Sequence, residues 1–132
     1  MVERTPLTRP VLLYDAECRV CRFVARAVSR ADRGETLGLL PLQAVEAVRL
    51  LDGLPEDERL ASWRLARPDG SLVGRGTGVP VLLESLRLTR PLGRLLQLVP
   101  GRTLDAAYEL AARNRGRLGR VVPRGAAPRR FP

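Results

Sequence analysis

The sequence contains no histidine and no lysine, only two cysteines, and few aromatic residues, which make up 4% of its 132 residues. Without histidine, and with no cysteine besides Cys18 and Cys21, one chain cannot supply the four Cys or His ligands of a typical structural zinc site. A metal site would need a second subunit or carboxylate ligands such as Asp15 and Glu17. We therefore expect neither a metal ion nor another cofactor.

Long apolar runs are also missing from the sequence. No segment approaches the roughly 18 consecutive apolar residues that a membrane-spanning helix requires. The first apolar segment, Val11–Tyr14, is too short for the core of a secretory signal peptide. The sequence therefore predicts no membrane span, and a reducing cytoplasm is the expected compartment.

Acidic residues are scarce in the C-terminal part of the chain. Residues 1–84 carry 12 arginines and 12 acids, whereas residues 85–132 carry 11 arginines and two acids, Asp105 and Glu109, and so hold the entire net charge of +9. Such a segment can bind an acidic protein, an acidic lipid or nucleic acid, or can simply be solvated. Without interleaved aromatic residues it indicates no more than weak, salt-sensitive nucleic-acid binding, and we favour a solvated segment.

The apolar residues, 45% of the chain, are patterned as an α/β protein. Residues 1–120 have the length and pattern of one domain, and the basic residues 121–132 have little to bury and are expected to be disordered. The predicted order is strand, helix, strand, helix, hairpin and further helices, the last of them capped by Thr103 or Asp105. This order predicts a four-stranded mixed sheet flanked by helices, because a βαβ unit makes its two strands parallel and a hairpin adds antiparallel ones.

The two cysteines lie where the first predicted strand passes into the first predicted helix. Cysteines three residues apart at a helix start lie on the same side of the first turn, close enough for a disulfide. Unpaired N–H groups at a helix N-terminus stabilise a thiolate, and Arg19 adds a positive charge. We assign Cys18 as the attacking thiol and Cys21 as the resolving thiol. Asp15 is a candidate for proton transfer or for fixing the loop, whereas Glu17 opposes thiolate formation.

Other interpretations of the pair stay open at this point. A dimeric zinc site, a structural disulfide and two idle buried thiols are each compatible with CxxC alone. The main alternative to an enzyme is a thioredoxin-like binding module that docks an acidic partner through its arginine-rich C-terminal half. The position between a strand and a helix favours redox chemistry over these alternatives.

Several segments together resemble the DCC family of thiol–disulfide oxidoreductases, which are related to thioredoxins. The similar segments are residues 14–21, with the D-x-x-C-x-x-C pattern, residues 40–43, the turn at residues 69–70, and residues 108–115, which are similar to the closing Y-x-x-x-A-x-N-R helix of the family. The resemblance implies a thioredoxin-like fold, a site formed by Asp15, Cys18 and Cys21, and exchange with protein or small-molecule disulfides. The electron donor would be a dithiol of unknown identity.

The chain also departs from these relatives. Ala16 stands where the family often has glycine, and the substrate-guiding proline of thioredoxins would fall near Ser62. The remaining residues of note are expected to be structural: Trp63 and Tyr108 pack, and Arg115, with the preceding asparagine, clamps a helix end in preference to binding an acidic ligand.

Overall fold

The chain begins its ordered core with a strand, a helix and a second strand. The computed structural model describes residues 7–131. Strand β1 spans Val11–Tyr14, helix α1 spans Arg19–Ala31, and strand β2 spans Gly38–Pro41. The two strands are parallel, with Val11 opposite Gly38 and Tyr14 opposite Pro41. All four residues of β1 are buried, which explains why its sequence is apolar throughout rather than alternating.

A hairpin completes the sheet on the other side of β1. Strand β3, Arg64–Ala66, is antiparallel to β1 and to strand β4, Leu72–Gly74. The strand order is β2-β1-β3-β4. The structure thus confirms the mixed α/β sheet of a thioredoxin-like fold, and β1, which leads into the two cysteines, is an inner strand.

Helices cover both faces of the sheet, and six of them are described. The others are α2, Val45–Leu50; α3, Val79–Ser85; α4, Arg90–Leu96; α5, Gly101–Arg113; and α6, Arg115–Val121, with a 3₁₀ turn at Glu56–Glu58. Val11 and Leu13 of β1 face the apolar side of α2, whereas Leu12 faces α1 and α3, because successive side chains of a strand point to opposite faces. No helix among residues 7–131 has the length and apolar character needed to cross a bilayer.

The end of the chain differs from the helix predicted there. Helix α5 begins at Gly101, after Pro100, so neither Thr103 nor Asp105 is its cap. Asp105 instead accepts a hydrogen bond from the backbone N–H of Thr77, at 3.1 Å. The helix also breaks at Asn114, where α6 starts in a new direction and packs against α1.

The loop under α5 depends on a glycine. A Cβ atom at Gly76 would lie 2.0 Å from the backbone oxygen of Leu104, which no side chain tolerates. This close approach places α5 against the loop that follows β4.

The segment that follows α6, for which the sequence predicts disorder, contacts the edge of the sheet at Arg130. Arg130 exchanges two backbone hydrogen bonds with Leu39 of β2, at 2.7 and 2.8 Å. Its guanidinium donates to the backbone oxygen of Leu37 and to the carboxylate of Asp32, and Arg129 pairs with Glu46. The open side of β2 offers unpaired backbone groups to any extended segment, and the tail occupies them.

Asp32, at the end of α1, connects the helix, the following loop and the tail. The residue is only 5% exposed, and its carboxylate accepts hydrogen bonds from the backbone and hydroxyl of Thr36, from the backbone of Leu37, and from Arg130. Burial raises the pKa of this carboxyl, but the hydrogen bonds and the charge of Arg130 outweigh burial and lower it. The carboxylate form is therefore part of the folded structure.

We expect Asp32→Asn to lower the free energy of unfolding by about 2–3 kcal/mol at pH 7, because the amide loses charge-assisted hydrogen bonds. A carboxyl with a lowered folded pKa stabilises the protein above its unfolded pKa and loses this contribution as pH falls through the folded value. The difference between wild type and variant should therefore shrink in acid. Urea titrations at neutral pH and below pH 4 measure this difference in the free energy of unfolding.

Asp52→Asn is the matched control, since the side chain of Asp52 is 67% exposed and lies 4.0 Å from Arg59. It should change the free energy of unfolding by less than about 0.5 kcal/mol. An equal loss in both variants, or no loss in Asp32→Asn, would contradict a structural role for Asp32.

Candidate active site

A four-residue loop carries the chain from β1 into α1 and places both cysteines at the start of the helix. Cys18 is the N-cap residue of α1, with extended backbone angles, and its carbonyl accepts the N–H of Arg22 at 3.0 Å. Cys21 lies in the first turn. Both cysteines are free and half-buried, and Cys18 lines a cleft open to solvent.

The sulfur of Cys18 acts as the helix cap. It accepts a hydrogen bond from the backbone N–H of Cys21, with 3.4 Å between nitrogen and sulfur. This N–H is one of those that have no partner within the helix, and it carries part of the positive end of the helix dipole. The sulfur of Cys18 therefore lies at the positive end of the α1 dipole.

The thiol of Cys21 has a raised pKa. Burial raises the pKa of its thiol to about 12, helped by a side-chain hydrogen bond to Cys18 and by the negative charges of Cys18 and Asp15, while Arg115 acts in the other direction. Cys21 therefore holds its proton at neutral pH and can donate it toward the sulfur of Cys18. The two sulfurs are chemically unequal, as an attacking and a resolving thiol must be.

Arg115, the first residue of α6, is brought to the two cysteines from the far end of the chain. Burial disfavours its charged form, but the charges of Cys18 and Cys21 and hydrogen bonds to both sulfurs outweigh burial and raise the pKa of Arg115. Its Nε also donates to the backbone oxygen of Ala112, at 3.2 Å. The preceding Asn114 donates to the backbone oxygen of Leu110, so both residues clamp the end of α5 as expected, and Arg115 in addition faces the thiols.

Asp15 and Gln43 hold the loop before Cys18. One carboxylate oxygen of Asp15 accepts the backbone N–H of Glu17 at 2.9 Å and the side-chain amide of Gln43 at 2.8 Å. The amide oxygen of Gln43 in turn accepts the backbone N–H of Ala16 at 3.0 Å. Ala16 replaces glycine without strain, since the described non-glycine residues with positive φ are Glu35 and Arg75. Gln43 was not predicted as a site residue, and the motif at residues 40–43 was its only sequence signal.

Beside Cys18 lies an open cleft of about 500 Å³. It is lined by Asp15, Glu17, Cys18, Arg19, Arg115, Gly116, Gly119 and Arg120. Both residues predicted to modulate the cysteines, Arg19 and Glu17, are thus at the cleft. Within the part of the chain that the structure describes, no three thiol or carboxyl side chains are grouped so that they could hold a metal ion.

The loop before β3 contains Ser62, where thioredoxins have their substrate-guiding proline. Ser62 is buried, and its hydroxyl accepts hydrogen bonds from the backbone of Arg75 and the hydroxyl of Tyr108. Trp63 packs against the apolar cluster between the sheet and α1. Ser62 and Trp63 therefore serve the structure, as does Tyr108, which ties α5 to the sheet.

Comparison with known proteins agrees with this geometry. The family model described as DCC1-like thiol-disulfide oxidoreductase matches residues 12–121, which include the cysteine loop, Gln43 and Arg115. No curated protein and no solved structure matches the chain.

Proposed function

The chain belongs to the DCC1-like thiol–disulfide oxidoreductase family, and we propose that Cys18 and Cys21 are its redox pair, reducing a disulfide by two successive exchange steps. The observation that carries this proposal is the inequality of the two sulfurs: the sulfur of Cys18 receives the helix N–H of Cys21, while Cys21 retains its proton with a pKa of about 12. Asp15 and Arg115 complete the proposed site.

In the first step the thiolate of Cys18 attacks one sulfur of the substrate disulfide. A bond forms between Cys18 and that sulfur, the substrate S–S bond breaks, and the other half leaves as a thiolate that takes a proton from solvent. Attack needs a thiolate, because a thiol is a poor nucleophile. The helix N-terminus and the guanidinium of Arg115 supply the positive potential that favours it.

In the second step Cys21 loses its proton and attacks the sulfur of Cys18. The Cys18–Cys21 bond forms, the mixed disulfide breaks, and the second half of the substrate leaves as a thiolate and is protonated. The substrate has gained two electrons and two protons, and the enzyme has lost them. We assign Asp15 as the proton acceptor for Cys21, because its negative charge acts on that thiol and its carboxylate is oriented by Gln43.

The cycle closes when an external dithiol reduces the Cys18–Cys21 disulfide. We propose the reductase direction, with protein or small-molecule disulfides as substrates, and a reducing compartment such as the cytoplasm. Such a compartment keeps both cysteines in the free form that the structure describes.

Product stoichiometry tests the proposal. The reduced protein is mixed anaerobically with excess bis(2-hydroxyethyl) disulfide, and small thiols are counted after the protein is removed. We expect two product thiols per chain, and a protein that has lost two hydrogen atoms and carries a Cys18–Cys21 disulfide in a peptide map. Two separate adducts, one on each cysteine, or no product thiol would contradict the mechanism. Slow adduct formation at both sulfurs would instead support a binding module with idle cysteines.

A further inference from the structure

The cleft beside Cys18 is unevenly charged. Its lining contributes three arginines, Arg19, Arg115 and Arg120, against the two carboxylates of Asp15 and Glu17. One oxygen of Asp15 accepts two hydrogen bonds, from the loop and from Gln43, and the negative charge of this carboxylate remains at the cleft. Glu17 is exposed. The three arginines exceed the two carboxylates by one charge, which the thiolate of Cys18 balances, so an anion would be bound by individual arginines that have no carboxylate partner and not by a net positive charge.

Two of these arginines are not neutralised by the protein. Neither Arg19 nor Arg120 forms an ion pair with a carboxylate of residues 7–131. Among the same residues, Nε of Arg19 is buried and has no hydrogen-bond partner. A buried donor without an acceptor costs free energy, and an anionic ligand in the cleft would supply acceptors to the arginines that line it.

Two glycines of α6, Gly116 and Gly119, line the cleft, and a Cβ at Gly119 would make only ordinary contact with Arg19 and Val20, at 3.9 Å. The cleft, about 500 Å³ in volume, is open to solvent, so a ligand in it would be only partly enclosed. The cleft thus combines room, unpaired positive charge and a reactive sulfur.

We propose that this cleft selects small disulfides that carry a carboxylate a few bonds from the sulfur, with Arg19 and Arg120 binding that group while Cys18 attacks. This inference rests on the proposed function and names its substrate class. The carboxylate is not consumed: it holds the disulfide beside Cys18, and the exchange steps are those given above. Long basic side chains suit this role because a guanidinium can bind a carboxylate through two parallel hydrogen bonds.

Three disulfides of nearly equal length and different charge test the inference: 3,3′-dithiodipropionate, bis(2-hydroxyethyl) disulfide and cystamine. Each kcat/KM is divided by the rate at which a neutral small thiol reduces the same compound, because leaving-group pKa alone changes reactivity. The normalised value should be highest for the dianion and lowest for the dication, with a span of about tenfold or more at low salt. In about 0.5 M NaCl the span should shrink, since salt screens exposed charges.

Arg120→Ala is the diagnostic variant and Arg117→Ala its control. Both remove one positive charge from α6, but Arg117 is exposed and does not line the cleft. Arg120→Ala should lower the normalised value for the dianion about fivefold and leave the neutral disulfide within about twofold. Arg117→Ala should leave all three substrates unchanged.

The outcomes separate this inference from the proposed function. Equal normalised kcat/KM values for the three disulfides in the wild type, or equal losses in Arg120→Ala and Arg117→Ala, would show that the cleft does not select substrates by charge. Disulfide exchange by the two cysteines would be unaffected by either result. Failure to reduce any of the three disulfides would overturn the proposed function. A high value for the dianion that falls only in Arg120→Ala would support both.

Discussion

Replacing Cys18 by serine is expected to reduce kcat/KM for bis(2-hydroxyethyl) disulfide by about a thousandfold or more. A serine hydroxyl does not ionise near neutral pH and does not attack sulfur, so the first bond cannot form. The remaining thiol, Cys21, cannot replace it, because burial and the charge of Asp15 still raise the pKa of Cys21 in the variant and little thiolate is present. Turnover is measured with excess dithiothreitol as the returning reductant.

Loss of structure must be separated from loss of the nucleophile in this variant. Serine is a good N-cap residue and its oxygen can accept the N–H of Cys21, so α1 should keep its first turn. Urea unfolding should shift by less than about 1 kcal/mol. A folded Cys18→Ser protein that still turns over at the wild-type rate would contradict the assignment of Cys18.

The first half of the fold is predictable because its signals are local. The apolar run of β1 ends at Tyr14, and helical spacing starts at Cys18, so the strand and the helix are each predicted within a residue or two of Val11–Tyr14 and Arg19–Ala31. A strand followed by a helix and a second strand allows few arrangements. The placement of CxxC at the start of α1 follows from the same local pattern, whereas the family resemblance depends on several segments along the chain.

Contacts between distant segments are harder to predict, and Arg115 shows why. Periodicity places it after a helix end, where an arginine usually helps to satisfy backbone carbonyls. Only the break at Asn114 turns α6 back onto α1 and brings Arg115 to the cysteines. Gln43 is similar, since its contacts with Asp15 and Ala16 depend on the pairing of β2 with β1.

The contacts of the tail are hard to predict for a different reason. Its composition offers little apolar surface, and the sequence therefore predicts disorder. The contacts of Arg130 with Leu39 are between backbone groups, which every residue except proline can make in full, so composition does not reveal them. The buried carboxylate of Asp32 adds an ion pair that joins residues far apart in the chain.

Replacing Cys21 by serine should stop the reaction after the first step. The variant keeps the nucleophile Cys18 but has no second thiol, so one product thiol per chain is released and the other half of the substrate stays bound to Cys18. Intact mass and a peptide map detect this adduct. Turnover should fall about a hundredfold or more, because only external thiols can release the adduct.

The pH dependence of the wild type follows from the proton that Cys21 must lose. A pKa of about 12 in the reduced protein comes first from burial and then from the hydrogen bond and charge of Cys18, with Asp15 adding to it. In the mixed disulfide the contributions of Cys18 vanish, while burial and Asp15 still raise the pKa. Below that pKa the thiolate fraction grows about tenfold per pH unit, so decay of the mixed disulfide should accelerate between pH 7 and pH 9.

Rapid acid quenching followed by mass spectrometry measures the lifetime of the mixed disulfide in wild type and in Cys21→Ser. In wild type the lifetime should shorten as pH rises, and in the variant it should depend only on the thiol added to the solution. Two product thiols per chain from Cys21→Ser would show that another group resolves the intermediate. A pH-independent lifetime in wild type would show that deprotonation of the buried Cys21 does not limit the second step.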